Sequence, residues 1–198
     1  VAIASIMAEA KNFDGVIHED LVRHTLLNSI RISRNQFTSE YGDLVIACDS
    51  SSNWRKEVYP YYKASRAKTR QKSTMDWNEV YRILNKIKDE IHDNFPYPTI
   101  KVETAEADDI IGTVAKMCDK ENLQCNIVSG DKDFMQLMND HIFMFAPGTR
   151  KTPHPIIYNS VKVEEKWGVP PNKIIDLLGL MGDSSDNVPG VVGVGEKT

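Results

Sequence analysis

Three short apolar stretches of this sequence each run directly into acidic residues. Together they are followed by six carboxylates: Asp49 after residues 44–48, Glu106, Asp108 and Asp109 after residues 99–102, and Asp131 and Asp133 after residues 126–128. If the stretches are parallel strands of one sheet, their carboxyl ends share an edge, and open α/β sheets bind ligands at that edge. Six carboxylates brought together repel one another, and they stay ionised at neutral pH only when cations lie among them. Because oxygen ligands alone suit Mg²⁺ or Mn²⁺, the pattern predicts a divalent-metal site for phosphoryl transfer.

A second acidic group and a glycine-rich turn follow later in the chain. Asp183 and Asp186 are spaced i and i+3, which by itself is also typical of a capping turn. Gly190, Gly193 and Gly195 come next, and glycines let a backbone approach a phosphate closely with its N–H groups exposed as donors. The turn therefore predicts a hairpin that binds a nucleic-acid backbone without reading bases.

The stretch from Trp54 to Lys72 gathers positive charge and aromatic rings, although the net charge of the chain is −4. It has one acid, Glu57, and seven basic residues: Arg55, Lys56, Lys63, Arg66, Lys68, Arg70 and Lys72. Three tyrosines lie between them. Binding of single-stranded nucleic acid requires this mixture of phosphate neutralisation and base stacking, whereas the alternative is a solvated loop or helix. The segregation of charge matters more for binding than its sum.

Composition is typical of a globular domain of 198 residues, with 41% hydrophobic and 26% charged residues. The sequence contains no apolar run of about 18 residues, so it predicts no membrane span. Its three cysteines form no CxxC pair, which favours reduced, buried thiols and a cytoplasmic location. The five histidines have no metal-ligand spacing.

Alternating elements must position these groups. The pattern predicts helices at residues 1–10, 19–36, 106–120, 161–167 and 172–181, and a short helix at 134–138. A further long helix is predicted to begin after Asp76, which would be its N-cap. Strands are predicted at 44–48, 99–103, 125–129 and 142–145. Alternation of this kind predicts an α/β fold with a mainly parallel, twisted sheet covered by helices on both faces.

The motifs, taken in order, resemble the 5′-nuclease superfamily, which includes flap endonucleases and the 5′→3′ exonuclease domains of bacterial polymerases. The matching segments are the strand that ends at Asp49, residues 61–66, 106–109, 129–134 and 182–195, and residues 23–30 and 54–77 are similar to the T-even phage ribonuclease H branch. The resemblance implies a PIN-like nuclease core at 1–160 with a helical arch at about 50–75, and the start of a duplex-binding region with a helix–three-turn–helix element at 161–198. It also implies that one strand with an aspartate ligand would precede this sequence, and that the second helix of the duplex-binding element is truncated at its end.

The resemblance also implies the roles of individual residues. Two Mg²⁺ ions, with Mn²⁺ as a substitute, would be held by Asp49, Glu106, Asp108 and Asp131 for the first and by Asp109, Asp133, Asp183 and Asp186 for the second. Lys63 and Arg66 would be the catalytic basic pair of the arch, steering the scissile phosphate. Nucleic-acid contacts would come from Arg55, Lys56, Tyr62, Lys63, Arg66, Lys68, Arg70, Gly190, Gly193, Gly195 and Lys197. The resemblance also allows a K⁺ ion at the helix–three-turn–helix element.

The implied function is removal of RNA primers and 5′ flaps during DNA replication by two-metal hydrolysis. Substrates would be flapped or branched duplex DNA and RNA–DNA hybrid, and the resemblance favours a monomer that meets a single-strand DNA-binding protein and a replicative polymerase. Two alternatives remain open. A small single-strand ribonuclease on a PIN-like fold explains the acids but not the basic arch or the glycine turn. An inactive branched-DNA-binding protein explains the arch, but negative charge beside a phosphate would not help it bind.

Overall fold

A computed structural model of the chain describes residues 17–73, 75–149 and 152–196, apart from the side chain of Lys68. The predicted helix at 1–10 therefore lies outside the described residues. The chain divides into two compact units, the first formed by Val1–Ile46 and Ala67–Ile100 and the second by Ala47–Arg66 and Lys101–Thr198. Among the described residues, no helix is both long enough and apolar enough to cross a membrane.

The order of elements follows the predicted alternation of helices and strands. The described chain contains α1 (Glu19–Tyr41), β1 (Ile46–Cys48), α2 (Arg55–Val58), α3 (Ala64–Gln71), α4 (Trp77–Asn94), β2 (Thr99–Lys101), α5 (Ala107–Lys120), β3 (Cys125–Val128), a 3₁₀ helix (Lys132–Leu137), β4 (Ile142–Ala146), β5 (Ile156–Tyr158), α6 (Ser160–Trp167), a second 3₁₀ helix (Pro171–Lys173) and α7 (Ile174–Met181).

The first unit is built on the amphipathic helix α4. Its buried side chains recur at helical spacing and pack with Val22 of α1 into one core: Val80, Ile83, Ile87 and Ile91. The predicted N-cap is confirmed, because the Asp76 side chain accepts hydrogen bonds from the backbone N–H groups of Asn78 and Glu79. Helix α1 is longer than predicted and ends where Gly42, with φ of 80°, donates its N–H to the carbonyl of Thr38.

The second unit has its core around a three-stranded sheet. Strand β3 pairs with β4 in parallel, with Cys125 opposite Ile142, and β5 pairs with β4 antiparallel, with Met144 opposite Tyr158. Buried side chains from these strands pack with residues of the 3₁₀ helix, α5, α6 and α7, among them Met135, Ala115, Val163 and Ile174. This core fixes the end of β3, from which the chain continues to Asp131 and Asp133.

The sheet differs from the prediction in two respects. Strands β1 and β2 pair only with each other among the described strands, so the mainly parallel sheet expected from the pattern is divided into two small sheets. Strand β5 was not predicted, and it is antiparallel. Alternation of helices and strands indicates an α/β fold, which the structure confirms, but strand partners are decided by packing between distant segments that a local pattern does not encode.

Candidate active site

The start of α5 fixes two carboxylates through the unpaired N–H groups of its first turn. Asp49 Oδ1 accepts a hydrogen bond from Ala107 N at 2.8 Å, and Asp109 Oδ2 accepts one from Glu106 N at 3.0 Å. The first N–H groups of a helix have no partner within the helix and carry partial positive charge, so carboxylates are favourable there. This local rule brings Asp49, from the end of β1, to the helix that carries Glu106 and Asp108.

The acids after β1, β2 and β3 lie close enough to repel one another. Loss of hydration at its carboxyl group and repulsion by Asp131 raise the pKa of Asp108 to about 6, although the residue as a whole is exposed; Glu106 and Asp49 add to the repulsion. Loss of hydration and the charge of Asp131 also raise the pKa of Asp133. The structure thus brings the three acidic groups of the predicted sheet edge together.

The last pair of acids belongs to a closed turn after α7. Asp183 and Val188 exchange two backbone hydrogen bonds of 2.8 and 2.9 Å, and Asp183 Oδ1 accepts from Ser185 N at 2.7 Å. Lys132 Nζ lies 2.8 Å from Asp183 Oδ2, which connects this turn to the end of β3. Partial loss of hydration opposes it, but the hydrogen bond from Lys132 lowers the pKa of Asp183.

Two glycines permit this turn. A Cβ atom on Gly182 would collide with the backbone of Gly190, and one on Gly190 would collide with the carbonyl group of Met181. Gly182 also has φ of 74°, a conformation that favours glycine. The close approach of two backbone segments therefore explains why residue 190 is a glycine. Gly193 has φ of 83° and an open surrounding, as expected for the tip of a turn.

Basic side chains of the segment predicted to form the arch reach the acids directly. Lys63 Nζ lies 2.6 Å from Glu106 Oε1, and Arg66 Nη2 lies 2.8 Å from Asp186 Oδ1. The buried Tyr62 places its hydroxyl oxygen 2.8 Å from Glu106 Oε2 and 3.0 Å from Asp186 Oδ2. Loss of hydration and the hydrogen bond to Glu106 raise the pKa of Tyr62, so the phenol stays protonated and donates. Glu106 itself loses hydration, yet hydrogen bonds from Lys63 and Tyr62 lower its pKa.

Arg55 makes a two-armed contact with Asp109. Its Nη1 and Nη2 atoms each lie 2.7 Å from one oxygen of that carboxylate, and Nη1 lies 3.3 Å from Glu106 Oε2. The guanidinium stands 4.7 Å from the ring centre of Trp54 and 5.9 Å from that of Tyr62. The hydrogen bonds from Arg55 hold the pKa of the Asp109 carboxyl below its usual value.

The predicted metal ligands fall into two groups. Glu106, Asp109, Asp183 and Asp186 have Lys or Arg partners, whereas Asp49, Asp108, Asp131 and Asp133 have no ion pair with a described side chain. In the described part of the chain, no three His, Cys, Asp or Glu side chains are arranged to hold a metal ion. The assignment of ligands to two ions therefore stays a prediction.

Several other predicted nucleic-acid contacts lie on α2 and α3, near the end of the described chain or outside the described part. Lys56 is exposed on α2, and Arg70 Nη1 lies 2.6 Å from the hydroxyl of Tyr81 in the first unit. Gly195 precedes the end of the described chain, and its surrounding is open. The side chain of Lys68 and all of Lys197 lie outside the described residues.

Comparison with known proteins identifies the family. The family described as "5'-3' exonuclease, N-terminal resolvase-like domain" matches residues 9–168, and that described as "5'-3' exonuclease, C-terminal SAM fold" matches residues 169–198. The chain belongs to the 5′-3′ exonuclease family.

Individual relatives agree with this family. The chain is 36% identical over 157 residues to the thermostable DNA polymerase I of Thermus filiformis, which is 78% of this chain and 17% of the polymerase. It is 34% identical over 173 residues to a 5'-3' exonuclease of Buchnera aphidicola (subspecies Schizaphis graminum), which is 87% of this chain and 56% of that protein. The chain thus spans about a sixth of the polymerase and about half of the exonuclease.

A solved structure shares the fold. The bacteriophage T5 flap endonuclease, in a pseudo-enzyme-product complex with DNA and metal ions, has a TM-score of 0.70, with 22% identity over 88% of this chain and 63% of the phage protein. At this level of identity the likeness confirms the fold class predicted from the sequence.

Two residues that the structure places at the site of this 5′-3′ exonuclease family member were not predicted from the sequence. Lys132, between the aspartates of the Asp131–Asp133 motif, pairs with Asp183, and Trp54 lies against Arg55. The position of Lys132 in the sequence could have indicated this role, because a lysine between two aspartates of an acidic cluster is placed to neutralise a further carboxylate of that cluster. Trp54 carries no comparable signal.

Proposed function

We propose that this chain is the nuclease part of a divalent-metal-dependent 5′→3′ exonuclease and flap endonuclease. The observation that carries the proposal is the crowding of acids from three strand ends, which raises the pKa of Asp108 and Asp133. Beside them lies a basic segment whose Lys63 pairs with Glu106 of this group and whose Arg66 pairs with Asp186. Crowded carboxylates that protein cations do not fully neutralise favour the binding of a cation among them, and basic side chains beside them suit a phosphate. Membership of the 5′-3′ exonuclease family supports the same conclusion.

The donor set fits Mg²⁺, with Mn²⁺ as a substitute. All the candidate ligands are carboxylate oxygens, and no Cys or His stands among them. Asp49, Asp108, Asp131 and Asp133 would accept a cation without breaking an ion pair with a described residue, whereas Glu106, Asp183 and Asp186 would first exchange a basic partner. Bound divalent ions supply Lewis-acid chemistry, acidifying water and neutralising charge on the departing oxygen.

The basic segment then acts on the substrate. A phosphodiester that approaches the acids meets Lys63 Nζ and the Arg66 guanidinium, each now held by a carboxylate at 2.6 and 2.8 Å. Exchanging a carboxylate for a phosphate keeps the charge pairing of both side chains, so they can orient the phosphate and stabilise charge that develops on it. The hydroxyl of the protonated, buried Tyr62 contacts both Glu106 and Asp186, and so fixes the geometry between the carboxylate partners of Lys63 and Arg66.

The substrates we propose are flapped or branched duplex DNA and RNA–DNA hybrid, in primer removal during replication. The shared fold with a phage flap endonuclease solved with DNA and metal ions supports this substrate class. Lys56, Arg70 and the glycine turn at residues 190–195 would contact phosphates, and a K⁺ ion would bind at the turn. A monomer in the cytoplasm that meets a single-strand DNA-binding protein and a replicative polymerase completes the proposal.

The test is cleavage of a 5′-end-labelled flap duplex by the full-length protein, with Mg²⁺ and with EDTA. We expect short 5′ products only with metal, and loss of at least 100-fold in turnover for Asp131→Asn, because one removed charge at a two-metal site disrupts it. Asp140→Asn is the matched control, since Asp140 is an exposed acid outside the cluster.

Other outcomes separate the alternatives. Near-normal turnover of the Asp131→Asn variant would remove the metal-site assignment. Tight flap binding without cleavage under any metal would favour an inactive branched-DNA-binding protein. Cleavage of unpaired RNA in preference to the flap duplex would favour a small ribonuclease.

A further inference from the structure

The carboxylate of Asp109 differs from its acidic neighbours because protein donors occupy both of its oxygens. Oδ1 accepts from Arg55 Nη2 at 2.7 Å. Oδ2 accepts from Arg55 Nη1 at 2.7 Å, from Glu106 N at 3.0 Å and from Trp54 Nε1 at 3.4 Å. Asp108, the next residue along α5, has no ion pair with a described side chain. Neighbours in one helical turn thus have opposite surroundings.

The guanidinium of Arg55 is also held in a defined position and orientation. Its guanidinium pairs with both oxygens of Asp109, faces the ring of Trp54 at 4.7 Å, and places Nη1 3.3 Å from Glu106 Oε2. A two-armed arginine–carboxylate pair has strict geometry, which a lysine cannot reproduce. A metal ion on Asp109 Oδ2 would have to displace Arg55 Nη1 and the helix-capping hydrogen bond from Glu106 N, and one on Oδ1 would share that oxygen with the positively charged Arg55 Nη2 arm.

We propose that Asp109 is a positioning residue for Arg55 and does not hold a metal ion. It anchors the guanidinium beside Glu106 at the acidic cluster, so that Arg55 meets the substrate phosphate in a fixed orientation. The proposal differs from the expectation that Asp109 is a ligand of the second ion, and it leaves Asp133, Asp183 and Asp186 for that role. The inference deepens the proposed function and rests on it.

The first measurement is Mn²⁺ binding by calorimetry, on the full-length protein without DNA. Asp109→Asn keeps an oxygen for the N–H of Glu106 but loses the charged pair with Arg55. We expect its Mn²⁺ affinity to stay within about twofold of that of the unchanged protein. Asp108→Asn is the matched control one residue away, and there we expect a loss of roughly tenfold or more, because an ionised ligand is removed.

The second measurement is a double-mutant cycle between Arg55→Ala and Asp109→Ala, read as kcat and KM on the flap duplex. Each single change should reduce kcat/KM by roughly 10- to 100-fold, the range for a charge-assisted hydrogen-bonded pair. The double variant should be no worse than either single one, since Asp109 acts through Arg55. Arg55→Lys should fail to restore activity, because lysine retains the charge but lacks the fork. Thermal unfolding of each variant identifies any that have lost the fold.

Two results would overturn the inference. A tenfold loss of Mn²⁺ affinity in Asp109→Asn, with Arg55→Ala unaffected, would make Asp109 a ligand. Losses that add in the double variant would show that the two residues act separately. Failure of the proposed function has a different signature: no cleavage by the unchanged protein and no effect of Asp108→Asn on Mn²⁺. In that case flap-DNA affinity, measured across the same cycle, still decides whether Arg55 and Asp109 act as one unit.

Discussion

Lys63 has a backbone conformation that side-chain-bearing residues rarely adopt, with φ of 55°. Such a conformation costs roughly 1–2 kcal/mol and persists only when surrounding contacts hold it. Here the N–H of Lys63 donates to the carbonyl of Asp186 at 2.9 Å, and its Nζ lies 2.6 Å from Glu106 Oε1 and 4.8 Å from the ring centre of Tyr62. The ammonium group is therefore fixed over the acids before any substrate arrives.

Removal of this ammonium group should affect chemistry more than binding. We expect Lys63→Ala to lower kcat on the flap duplex by about 100-fold or more, because a positioned charge at the reacting phosphate is lost. Steady-state kinetics with Mg²⁺ would measure this. Lys116→Ala, an exposed lysine of α5 outside the site, should leave the rate unchanged. An unchanged kcat in Lys63→Ala would remove Lys63 from the active site.

Asp108 should make the stability of the metal-free protein depend on pH. Its pKa rises from 3.8 to about 6 in the folded state, so between these values the folded protein binds more protons than the unfolded one. Its contribution to the free energy of unfolding is therefore fully present below about pH 4 and is lost as pH rises through about 6.

The measurement is the difference in melting temperature between the unchanged protein and Asp108→Asn, in EDTA, from pH 4 to pH 7. We expect the melting temperature of the unchanged protein to fall relative to that of Asp108→Asn as pH rises. The difference between the unchanged protein and Asp140→Asn should show no such trend. A difference that stays constant with pH would contradict the crowding of Asp108 by its neighbours.

At the scale of elements, local signals determine some parts of the fold and leave others open. Helix α4 was predictable because its apolar side chains recur every three or four residues and Asp76 precedes them as an N-cap. Strand β5, Ile156–Tyr158, is as short as β1 and β2 but directly follows Pro155, a residue that argues against a central strand and is tolerated at the edge of a sheet. The division into two sheets depends on which strands meet, which spacing along the chain does not specify.

The candidate site shows the same limit. The spacing predicted that acids after three strands converge, and the structure brings them together. Spacing could not show which acids are already paired, because Arg55 and Asp109, or Lys132 and Asp183, are about 50 residues apart in sequence. Glu106 and Asp109 share a helix face, yet only tertiary contacts distinguish their surroundings.

The cap of α4 gives a test of stability at this scale. Replacing Asp76 with alanine removes the acceptor for the N–H groups of Asn78 and Glu79 and should lower the free energy of unfolding by about 1 kcal/mol. Denaturant unfolding would measure the change. Asp93→Ala, an exposed position at the other end of the same helix, is the control and should have a smaller effect, and equal losses would contradict the capping role.

At the scale of the whole molecule, each unit has a separate core, and every predicted metal ligand belongs to the second unit. Ile83 in the first core and Met144 in the second are both fully buried. Ile83→Ala and Met144→Ala should each cost about 2–5 kcal/mol in stability because they leave cavities.

Only Met144→Ala should also weaken Mn²⁺ binding, since β4 pairs with the strand that leads to Asp131. Calorimetry at a temperature where both variants are folded would compare them. Equal losses of Mn²⁺ affinity in the two variants would contradict an acidic cluster supported by the second core alone.

The close approach of Gly182 and Gly190 has a consequence for protein engineering. Neither position has space for a side chain, and the backbone bridge between Asp183 and Val188 closes the segment between them. The two acids of this segment therefore depend on a backbone crossing that only glycine permits at both points. Anyone who transfers Asp183 and Asp186 to another scaffold must move residues 181–190 as one block, because the carboxylates without the crossing would lose their fixed separation.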